Sequence, residues 1–364
     1  MALILLAFSS LLMAPALNLA GTSLKYHQRT ESNVTETYAA DAGVEYCLCM
    51  LGNNPDAYQD DPLQYTFTLS GRSVETTAQH VANNIYKITS VATTTDINSS
   101  TTIECYVAML SFVFDYGMVA LDGDINISGN SEVTSSPDLY EGDVYANGDI
   151  NLSGNAEISG DATATGNISV TGNASIEGVQ DPNYYPPQVF AEIDTSLYLD
   201  EANQGTLIEG DLVIDGLGYY ELGPVHITGN LIISGNTTVR LMGTVYVDGT
   251  ITMSGNSRIE GSYVIVAEGD IQLTGNSMLD LDDIPVIVST DGNITVTGNN
   301  WTSAVLYAPV GDIILTGNSK VYGSVVGTDI SAAGNSEVRY PTGLRDRGDL
   351  PGYGGPDVLT YTIS

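Results

Sequence analysis

Two stretches decide the fold: Gly123–Val133, which reads GDINISGNSEV, and Gly148–Ile158, which reads GDINLSGNAEI. In each stretch, a short run of alternating apolar and polar residues is followed by Gly-Asn and then by a second short run that ends on an apolar residue. The same pattern occurs nine times after Met118, and most copies follow the previous one by 17 to 25 residues. This is the period of a solenoid built from stacked coils. The Asn of each copy stands at positions 130, 155, 173, 236, 256, 276, 299, 318 and 335.

Stacked coils must place like residues above like, and three positions of the motif meet this test. The residue four before the motif Gly is always Ile or Leu, from Ile125 to Ile330, and the residue two before it is apolar in every copy. The third residue after the Asn is apolar in every copy except Thr302. The spacing of two predicts a strand on each side of a Gly-Asn corner, where Gly supplies positive φ and the Asn amide bonds to neighbouring coils.

The sequence therefore predicts a mainly β protein with a right-handed parallel β-helix of roughly ten coils over residues 118–340. An insertion at 179–205, rich in Pro and with a short helix predicted at 189–203, is expected to bulge from one edge of the rod. Residues 63–114 alternate between apolar and polar positions and predict a small antiparallel β meander. Residues 341–364 are expected to cap the last coil or, from Asp357 on, to add a strand to the meander or to another subunit.

The composition narrows the functional classes. The chain has 44 acidic and 10 basic residues and a formal net charge of −34. Because most of such a surface repels the phosphates of a nucleic acid, we expect no nucleic-acid partner. The three cysteines lack the paired spacing of a zinc site. A disulfide between Cys105 and either Cys47 or Cys49 and a set of buried thiols both remain open.

The first 24 residues contain no charged side chain. They predict the apolar half of one helix over residues 1–52, about 75 Å long, and Gly52 and Pro55 are expected to end it. A cleaved secretory signal is the rival interpretation, although no basic residue precedes the apolar run. In the second half, Val34, Tyr38, Ala42, Tyr46 and Met50 recur in steps of four and predict the buried face. The residues assigned to assembly are Leu3, Ile4, Leu5, Leu6, Phe8, Leu11, Leu12, Pro15, Leu17 and Leu24.

This N-terminal segment resembles the type IV pilin-like proteins, especially minor pilins and pseudopilins, through MALILLAFSSLLMAP at 1–15 and AADAGVEYCLCML at 39–51. It departs from major pilins at Leu5, where they carry a glutamate. The resemblance implies insertion in the cytoplasmic membrane before assembly. It also implies partners of the pilus type, namely an assembly ATPase, a platform membrane protein and a leader peptidase. The column pattern also resembles the bactofilin type of polymerising β-helix.

Some parallel β-helices cleave polysaccharides, so the acidic residues need an interpretation. Most of them follow Gly at corners, where a short carboxylate bonds to turn amides, and only four basic residues are available between 118 and 340 to receive an acidic sugar. His226 is expected at a surface or edge. No calcium loop motif is present. We therefore predict no catalytic residue, no metal site and no cofactor.

The favoured function is a structural subunit of an extracellular pilus-like filament that polymerises through its N-terminal helix and displays an acidic β-helix. The alternatives are a membrane-anchored or pilus-tip adhesin, a polymer built through coil ends and, last, a polysaccharide-active enzyme. Arg345 and Arg347 are predicted to dock on an acidic neighbouring subunit. Asn98 and Asn300 are predicted as loop glycosylation sites.

Overall fold

The computed structural model describes residues 2–53, 58, 61–82, 85–94, 99–109, 113–136, 142–185, 187–191, 193–281, 284–341, 344 and 356–364. In the N-terminal helix, the side chains of residues 23, 26, 27 and 29–52 are described. The chain divides into two compact units. Unit 1 comprises Met1–Leu110 and Gly355–Ser364, and unit 2 comprises Ser111–Gly354.

Unit 1 is a helix packed on a five-stranded antiparallel sheet. The helix α1 runs from Ala2 to Asn53. The strands, in spatial order, are β1 (Leu63–Leu69), β2 (Arg72–Ala82), β3 (Ile85–Thr94), β4 (Ser99–Met109) and β36 (Pro356–Ile363). Alternate residues of β3 are buried, which confirms the predicted meander. The C-terminal strand β36 pairs with β4, so this segment extends the meander.

Unit 2 is a parallel β-solenoid of ten coils with three strands each, as predicted from the columns. We call the three sheets I, II and III after the first, second and third strand of a coil. Coils 1 to 3 comprise β5 (Met118–Ala120), β6 (Ile125–Ile127), β7 (Glu132–Ser136), β8 (Val144–Ala146), β9 (Ile150–Leu152), β10 (Glu157–Ile158), β11 (Ala162–Ala164), β12 (Ile168–Val170) and β13 (Ser175–Ile176), and β14 (Gln180–Pro182) follows in sheet I.

Coils 4 to 10 follow the segment 183–205, which contains the helix α2 (Ser196–Asn203). Their strands are β15 (Thr206–Ile208), β16 (Leu212–Ile214), β17 (Leu217–Leu222), β18 (Val225–Ile227), β19 (Leu231–Ile233), β20 (Asn236–Leu241), β21 (Val245–Val247), β22 (Ile251–Met253), β23 (Arg258–Gly261), β24 (Ile265–Ala267), β25 (Ile271–Leu273), β26 (Met278–Leu281), β27 (Val286–Ser289), β28 (Ile294–Val296), β29 (Trp301–Thr302), β30 (Val305–Ala308), β31 (Ile313–Leu315), β32 (Lys320–Tyr322), β33 (Val325–Gly327), β34 (Ile330–Ala332) and β35 (Glu337–Pro341).

The coils do not stack in chain order. Sheet I runs β14-β11-β8-β5-β33-β30-β27-β24-β21-β18-β15, so coil 1 lies against coil 10 in the middle of the rod. The chain winds outward from coil 1 to one end of the rod, crosses to the other end through segment 183–205, and winds back to meet coil 1. Segment 183–205 is therefore the connection between the two ends, and the prediction of an insertion bulging from one edge was wrong.

The contact between coils 10 and 1, which we call the junction, has the same geometry as a contact between consecutive coils. Ile125 pairs with Ile330 in sheet II and Val133 pairs with Val338 in sheet III. The backbone N–H of Ser128 donates to the Ala332 carbonyl at 2.8 Å. Because the columns are alike in every coil, coil 10 can cover coil 1 as well as a consecutive coil would.

The outer faces of the sheets differ, and this difference explains where segment 183–205 lies. In sheet II the middle residue of each strand faces outward and is mostly polar or partly exposed, as in Thr252. In sheet I the middle residue is often apolar and buried, as in Tyr145 and Val266. These side chains form a second core with residues of the connecting segment, including Phe190 and Ile193. Sheet I is therefore buried on both faces.

The fold-class prediction needs two corrections. The β-helix is discontinuous, with its first and last coils adjacent, so the last coil lies within the rod and not at an end. Of the predicted cap 341–364, residues 356–363 form β36 in the sheet of unit 1, and residues 342–343 and 345–355 lie outside the described residues. The N-terminal element was predicted as an apolar helix able to enter a membrane. Within the part of the chain whose side chains are described, no helix is both long and apolar enough to cross one. From Ser32 onward, one face of α1 packs on the sheet of unit 1.

Candidate functional site: the α1 clamp and the outer surface of the solenoid

The second half of α1 holds the sheet of unit 1 through a narrow stripe of small residues. Ala39, Ala40, Val44, Cys47 and Leu51 are buried against the sheet. From Ala40 to Leu51 they follow steps of three and four residues, so they share one face of the helix, with Ala39 at its edge. Small side chains let the helix backbone approach the strands closely, and a Cβ placed on Gly43 would stand 2.2 Å from the Ser90 Oγ.

The buried face differs from the one predicted. Val34 is 50% exposed and Tyr38 is 71% exposed, so the steps of four that begin at Val34 follow the wrong side of the helix. The burial of a face of α1 was thus correctly expected, but the residues on it were not. Tyr46 remains partly buried because its ring stacks on Tyr65 at 4.3 Å between centroids.

Glu36 is the functional-looking residue that the sequence analysis missed. Its side chain is fully buried on the packed face of α1, and it accepts hydrogen bonds from Thr94, from Ser99 at 2.9 Å and from Ser32 at 3.1 Å. The Arg72 Nε lies 4.0 Å from the carboxylate. The sequence offered one signal for it: Glu36 is a charged residue four positions before Ala40, on the same face of the helix as the buried stripe.

The pKa of Glu36 reflects this environment. Burial alone would raise the pKa of the carboxyl, but the hydrogen bonds from Thr94, Ser99 and Ser32, together with the Arg72 charge, lower the pKa below its usual value. Glu36 is therefore held as a carboxylate. It ties the helix to β3, to β4 and to β2 at one point, which makes it a clamp rather than a catalytic acid.

The first half of α1 has no described contact with its own unit. Every described side chain before Ser32 is exposed, including Tyr26 at 76%. Residues 2–31 account for about 45 Å of helix at 1.5 Å per residue. All residues assigned to assembly, from Leu3 to Leu24, lie in this half of α1, and their side chains lie outside the described part of the structure.

The Gly-Asn corners form a continuous ladder of side-chain amides, as predicted. Eight of the nine Asn donate from Nδ2 to the Oδ1 of the Asn in the neighbouring coil, for example from Asn318 to Asn299 at 2.7 Å and from Asn335 to Asn318 at 2.9 Å. The ladder crosses the junction through Asn130 and Asn335 at 2.8 Å. The positive φ falls on the motif Gly, as at Gly129. The ladder members are Asn173, Asn155, Asn130, Asn335, Asn318, Asn299, Asn276, Asn256 and Asn236.

The acidic residues at the corners bind backbone, which is the structural role proposed for them. The Asp149 Oδ1 accepts the N–H of Asn167 at 2.6 Å, and the Asp161 Oδ1 accepts the N–H of Val179 at 2.7 Å. Asp143, Asp211 and Asp270 act in the same way toward the next coil. Among the described residues, no group of three His, Cys, Asp or Glu side chains is arranged to hold a metal ion.

One cleft of about 320 Å³ lies between the outer face of sheet I and the connecting segment. Its walls are apolar, with Val113, Phe190 and Tyr307 among them, and Asn147 and Gln188 are its polar residues. The Asn147 Nδ2 donates to the Leu121 carbonyl at 2.7 Å, and the Gln188 amide donates to the Tyr116 hydroxyl at 2.8 Å. The Gln188 amide thus holds the connecting segment, whereas the Asn147 amide links coil 2 to coil 1. Burial raises the pKa of Tyr116 to about 12, so this phenol stays neutral.

His226 was expected at a surface or edge, but it joins two elements. Its Nδ1 lies 2.8 Å from the Asn203 Oδ1 at the end of α2, and its Nε2 lies 2.6 Å from the Asp248 Oδ1. The ring also meets Tyr246 edge-on at 5.6 Å between centroids. His226 therefore fastens the connecting segment to sheet I.

The structure assigns no common site to the other predicted residues. Arg345, Arg347 and Asn98 lie outside the described residues. Asn300 is only 2% exposed, and its amide bonds to Ser277 and to the Leu273 carbonyl, so the prediction of an exposed loop acceptor was wrong. No disulfide joins Cys105 to Cys47 or Cys49. Burial raises the pKa of the Cys105 thiol to about 11.

Comparisons with known proteins give one family match and two structural likenesses. Residues 172–347 match the model of a domain of unknown function, DUF7305. This region contains the connecting segment and all strands from β14 to β35. No curated protein matches the sequence.

The solved structures resemble the chain only at low TM-score and low sequence identity. The competence-associated pilin ComZ from Thermus thermophilus is 12% identical, with a TM-score of 0.35, and the match covers 91% of this chain and 97% of that chain. An ice binding protein from an Antarctic Flavobacteriaceae bacterium is 11% identical, with a TM-score of 0.23, over 62% of this chain and 79% of that chain. Neither likeness bears on function at these scores.

Proposed function

We propose that the chain is a structural, non-enzymatic subunit of an extracellular pilus-like filament, in which the first half of α1 joins subunits and the solenoid is displayed. The observation that carries the proposal is the division of α1. Its residues from Ser32 onward pack on their own sheet, whereas every described side chain before Ser32 is exposed. A helix end of about 45 Å with a charge-free sequence up to Leu24 is suited to a shared apolar bundle.

The clamp at Glu36 supports the same role. A subunit held in a filament by its helix must transmit load from that helix to its folded domain. The buried carboxylate connects α1 to three strands at one level, close to where the packed half of the helix begins. The Asn ladder gives the displayed solenoid a rigid, repeated set of hydrogen bonds along its length.

Electron microscopy of cells that express the chain tests the proposal, with gold-labelled antibody against the solenoid. Filaments labelled along their length are expected. A Leu12→Lys variant should abolish them by burying a charge in the bundle, whereas Asn33→Lys, on the exposed side of the half of α1 that packs on its own sheet, should not. A chain that lacks residues 118–340 should still polymerise. Label confined to filament tips would instead indicate an adhesin, and unaffected filaments in Leu12→Lys would disprove assembly through α1.

A further inference from the structure

All four described cations of the solenoid project from sheet III. Arg240, Arg258, Lys320 and Arg339 lie in β20, β23, β32 and β35. The strands of sheets I and II contain no Lys or Arg. In a chain of net charge −34, this face is the one place on the solenoid where positive charge is concentrated.

The order of outward residues on sheet III follows from the strand pairing, because alternate residues of a strand face outward. One outward row runs along the whole rod from end to end. It consists of Tyr219, Thr238, Arg258, Met278, Trp301, Lys320, Glu337, Glu132, Glu157 and Ser175. Arg240 and Arg339 stand beside this row, two residues further along their strands than Thr238 and Glu337.

The two parts of this face differ in charge. The sheet III strands β17, β20, β23, β26, β29, β32 and β35 together carry the four cations and four carboxylates. These carboxylates are at positions 221, 260, 280 and 337. The strands β7 and β10 carry Glu132 and Glu157 and no cation. Arg258 pairs with Glu260 at 2.9 Å, and Lys320 pairs with the buried Glu337, yet the cationic side chains remain 40% and 44% exposed. Both side chains are therefore accessible to a partner surface.

Trp301 lies at the centre of the row. It is the only Trp of the chain, it is 40% exposed, and it pairs with Lys320 on the adjacent strand. Its indole N–H donates to the Ser303 hydroxyl at 3.3 Å. Trp and Arg are among the residues enriched in protein interfaces.

We propose that sheet III binds a second copy of this chain in a two-fold symmetric dimer, with the rods antiparallel and the axis passing between Trp301 and Lys320. In a row of ten residues, this symmetry exchanges the fifth and sixth positions, so Trp301 faces Lys320 of the second copy. It also exchanges the third and eighth, which places Arg258 opposite Glu132. Arg240 on the second strand then comes close to Glu157 on the ninth.

The size of the face suits such a dimer. Ten strands at 4.8 Å extend over about 48 Å, and strands about 10 Å wide give roughly 500 Å² on each copy, or about 1,000 Å² in total. That total reaches the lower limit for a specific interface. A two-fold contact uses each complementary pair twice, and here it joins the part that carries carboxylates without a cation to the part that carries the cations. The dimer is independent of the filament role proposed for α1.

Sedimentation velocity of the full chain in mild detergent tests the proposal by charge exchange. Arg258→Glu and Glu132→Arg should each raise the dimer dissociation constant roughly ten- to hundredfold, because each change turns two attractive pairs into repulsive ones. The double variant R258E/E132R restores both pairs with reversed sign, so its dissociation constant should return to within about threefold of the original. Glu209→Arg, on an exposed turn after β15, changes the charge as much as Glu132→Arg and should have no effect.

The outcomes separate clearly. The proposal is overturned if the unsubstituted chain stays monomeric at about 100 µM, if the single reversals leave association unchanged, or if the double variant is as weak as the single ones. Binding of polygalacturonate by a monomeric chain, lost in Arg258→Glu, would show that the face takes an acidic polysaccharide instead. Circular dichroism and thermal unfolding of each variant exclude loss of folding as the cause.

Discussion

The helix–sheet contact of unit 1 and the coil contacts of unit 2 are built in opposite ways. In unit 1 the helix contacts the sheet through residues of different types, and no contact is repeated along the interface. The buried Glu36, for example, is bound by the hydroxyl groups of Thr94, Ser99 and Ser32. In unit 2 like residues meet like in every coil, so the same pairing recurs along three sheets. A repeated contact tolerates a change in chain order, as the junction shows, whereas a contact made once specifies a single arrangement.

The largest expected effect tests whether the junction is held as tightly as any other contact. Gly129 has φ +78°, and a Cβ there would stand 2.6 Å from the Gly334 carbonyl oxygen across the junction. Gly129→Ala should therefore lower the free energy of unfolding by about 3 kcal/mol or more, from left-handed strain plus a backbone clash. Chemical denaturation followed by circular dichroism measures this loss.

Gly210 provides the matched control. It has φ +85° in the end coil, and a Cβ there would meet nothing within 4 Å. Gly210→Ala should cost only the left-handed strain, about 1 kcal/mol. Equal losses at the two positions would contradict the tight stacking of coil 1 on coil 10.

The next effect concerns the contact that is made once. Glu36→Gln should reduce the stability of unit 1 by about 2 kcal/mol at pH 7, because the amide has only one acceptor oxygen for several buried hydroxyl donors and removes the charge beside Arg72. Glu31→Gln, on the exposed side of α1, is the control and should change little. Thermal unfolding at pH 7 measures both.

The pH dependence sharpens this test. The pKa of Glu36 is lowered in the folded chain, so its contribution is complete above the ordinary carboxyl value of 4.5 and is lost as the pH falls through the lower, folded value. The difference in stability between the original chain and Glu36→Gln should therefore shrink below pH 4.5. A difference that stays constant from pH 7 to pH 3 would show that the carboxylate is not what stabilises the clamp.

The smallest effect compares the middle of the Asn ladder with its end. Asn318 donates to Asn299 and accepts from Asn335, whereas Asn173 in the end coil donates to Asn155 without a described acceptor role in the ladder. Asn318→Ala should cost about 1–2 kcal/mol, and Asn173→Ala about 0.5 kcal/mol. Denaturant titration resolves the two, and identical values would argue against a cooperative ladder.

The repeat made much of unit 2 predictable. The column from Ile125 to Ile330, the corner Gly and the ladder Asn specify two strands of each coil. The meander was equally accessible from its alternation. The third strand was missed as a column, although triplets such as Val245–Val247 are apolar at every position and indicate a sheet buried on both faces. Recognising these triplets as a column would have predicted that another segment of the chain packs on the outer face of sheet I.

The α1 clamp was less predictable. The face that begins at Val34 looked more apolar than the face that carries Ser32 and Glu36, so hydrophobic periodicity chose the wrong side. Glu36 is buried only because three hydroxyl groups from distant strands converge on it. A pattern of apolar residues along one helix contains no information about those partners.

The sequence by itself determined the coil, its corners and the number of coils, because these depend on residues close together in the chain. The tertiary structure alone decided the order of the coils. Every coil presents the same columns on both of its edges, so local sequence cannot say whether coil 1 follows coil 10 or begins an end of the rod. That choice follows from the connecting segment, whose aromatic and aliphatic residues are buried only when they lie along the apolar outer face of sheet I.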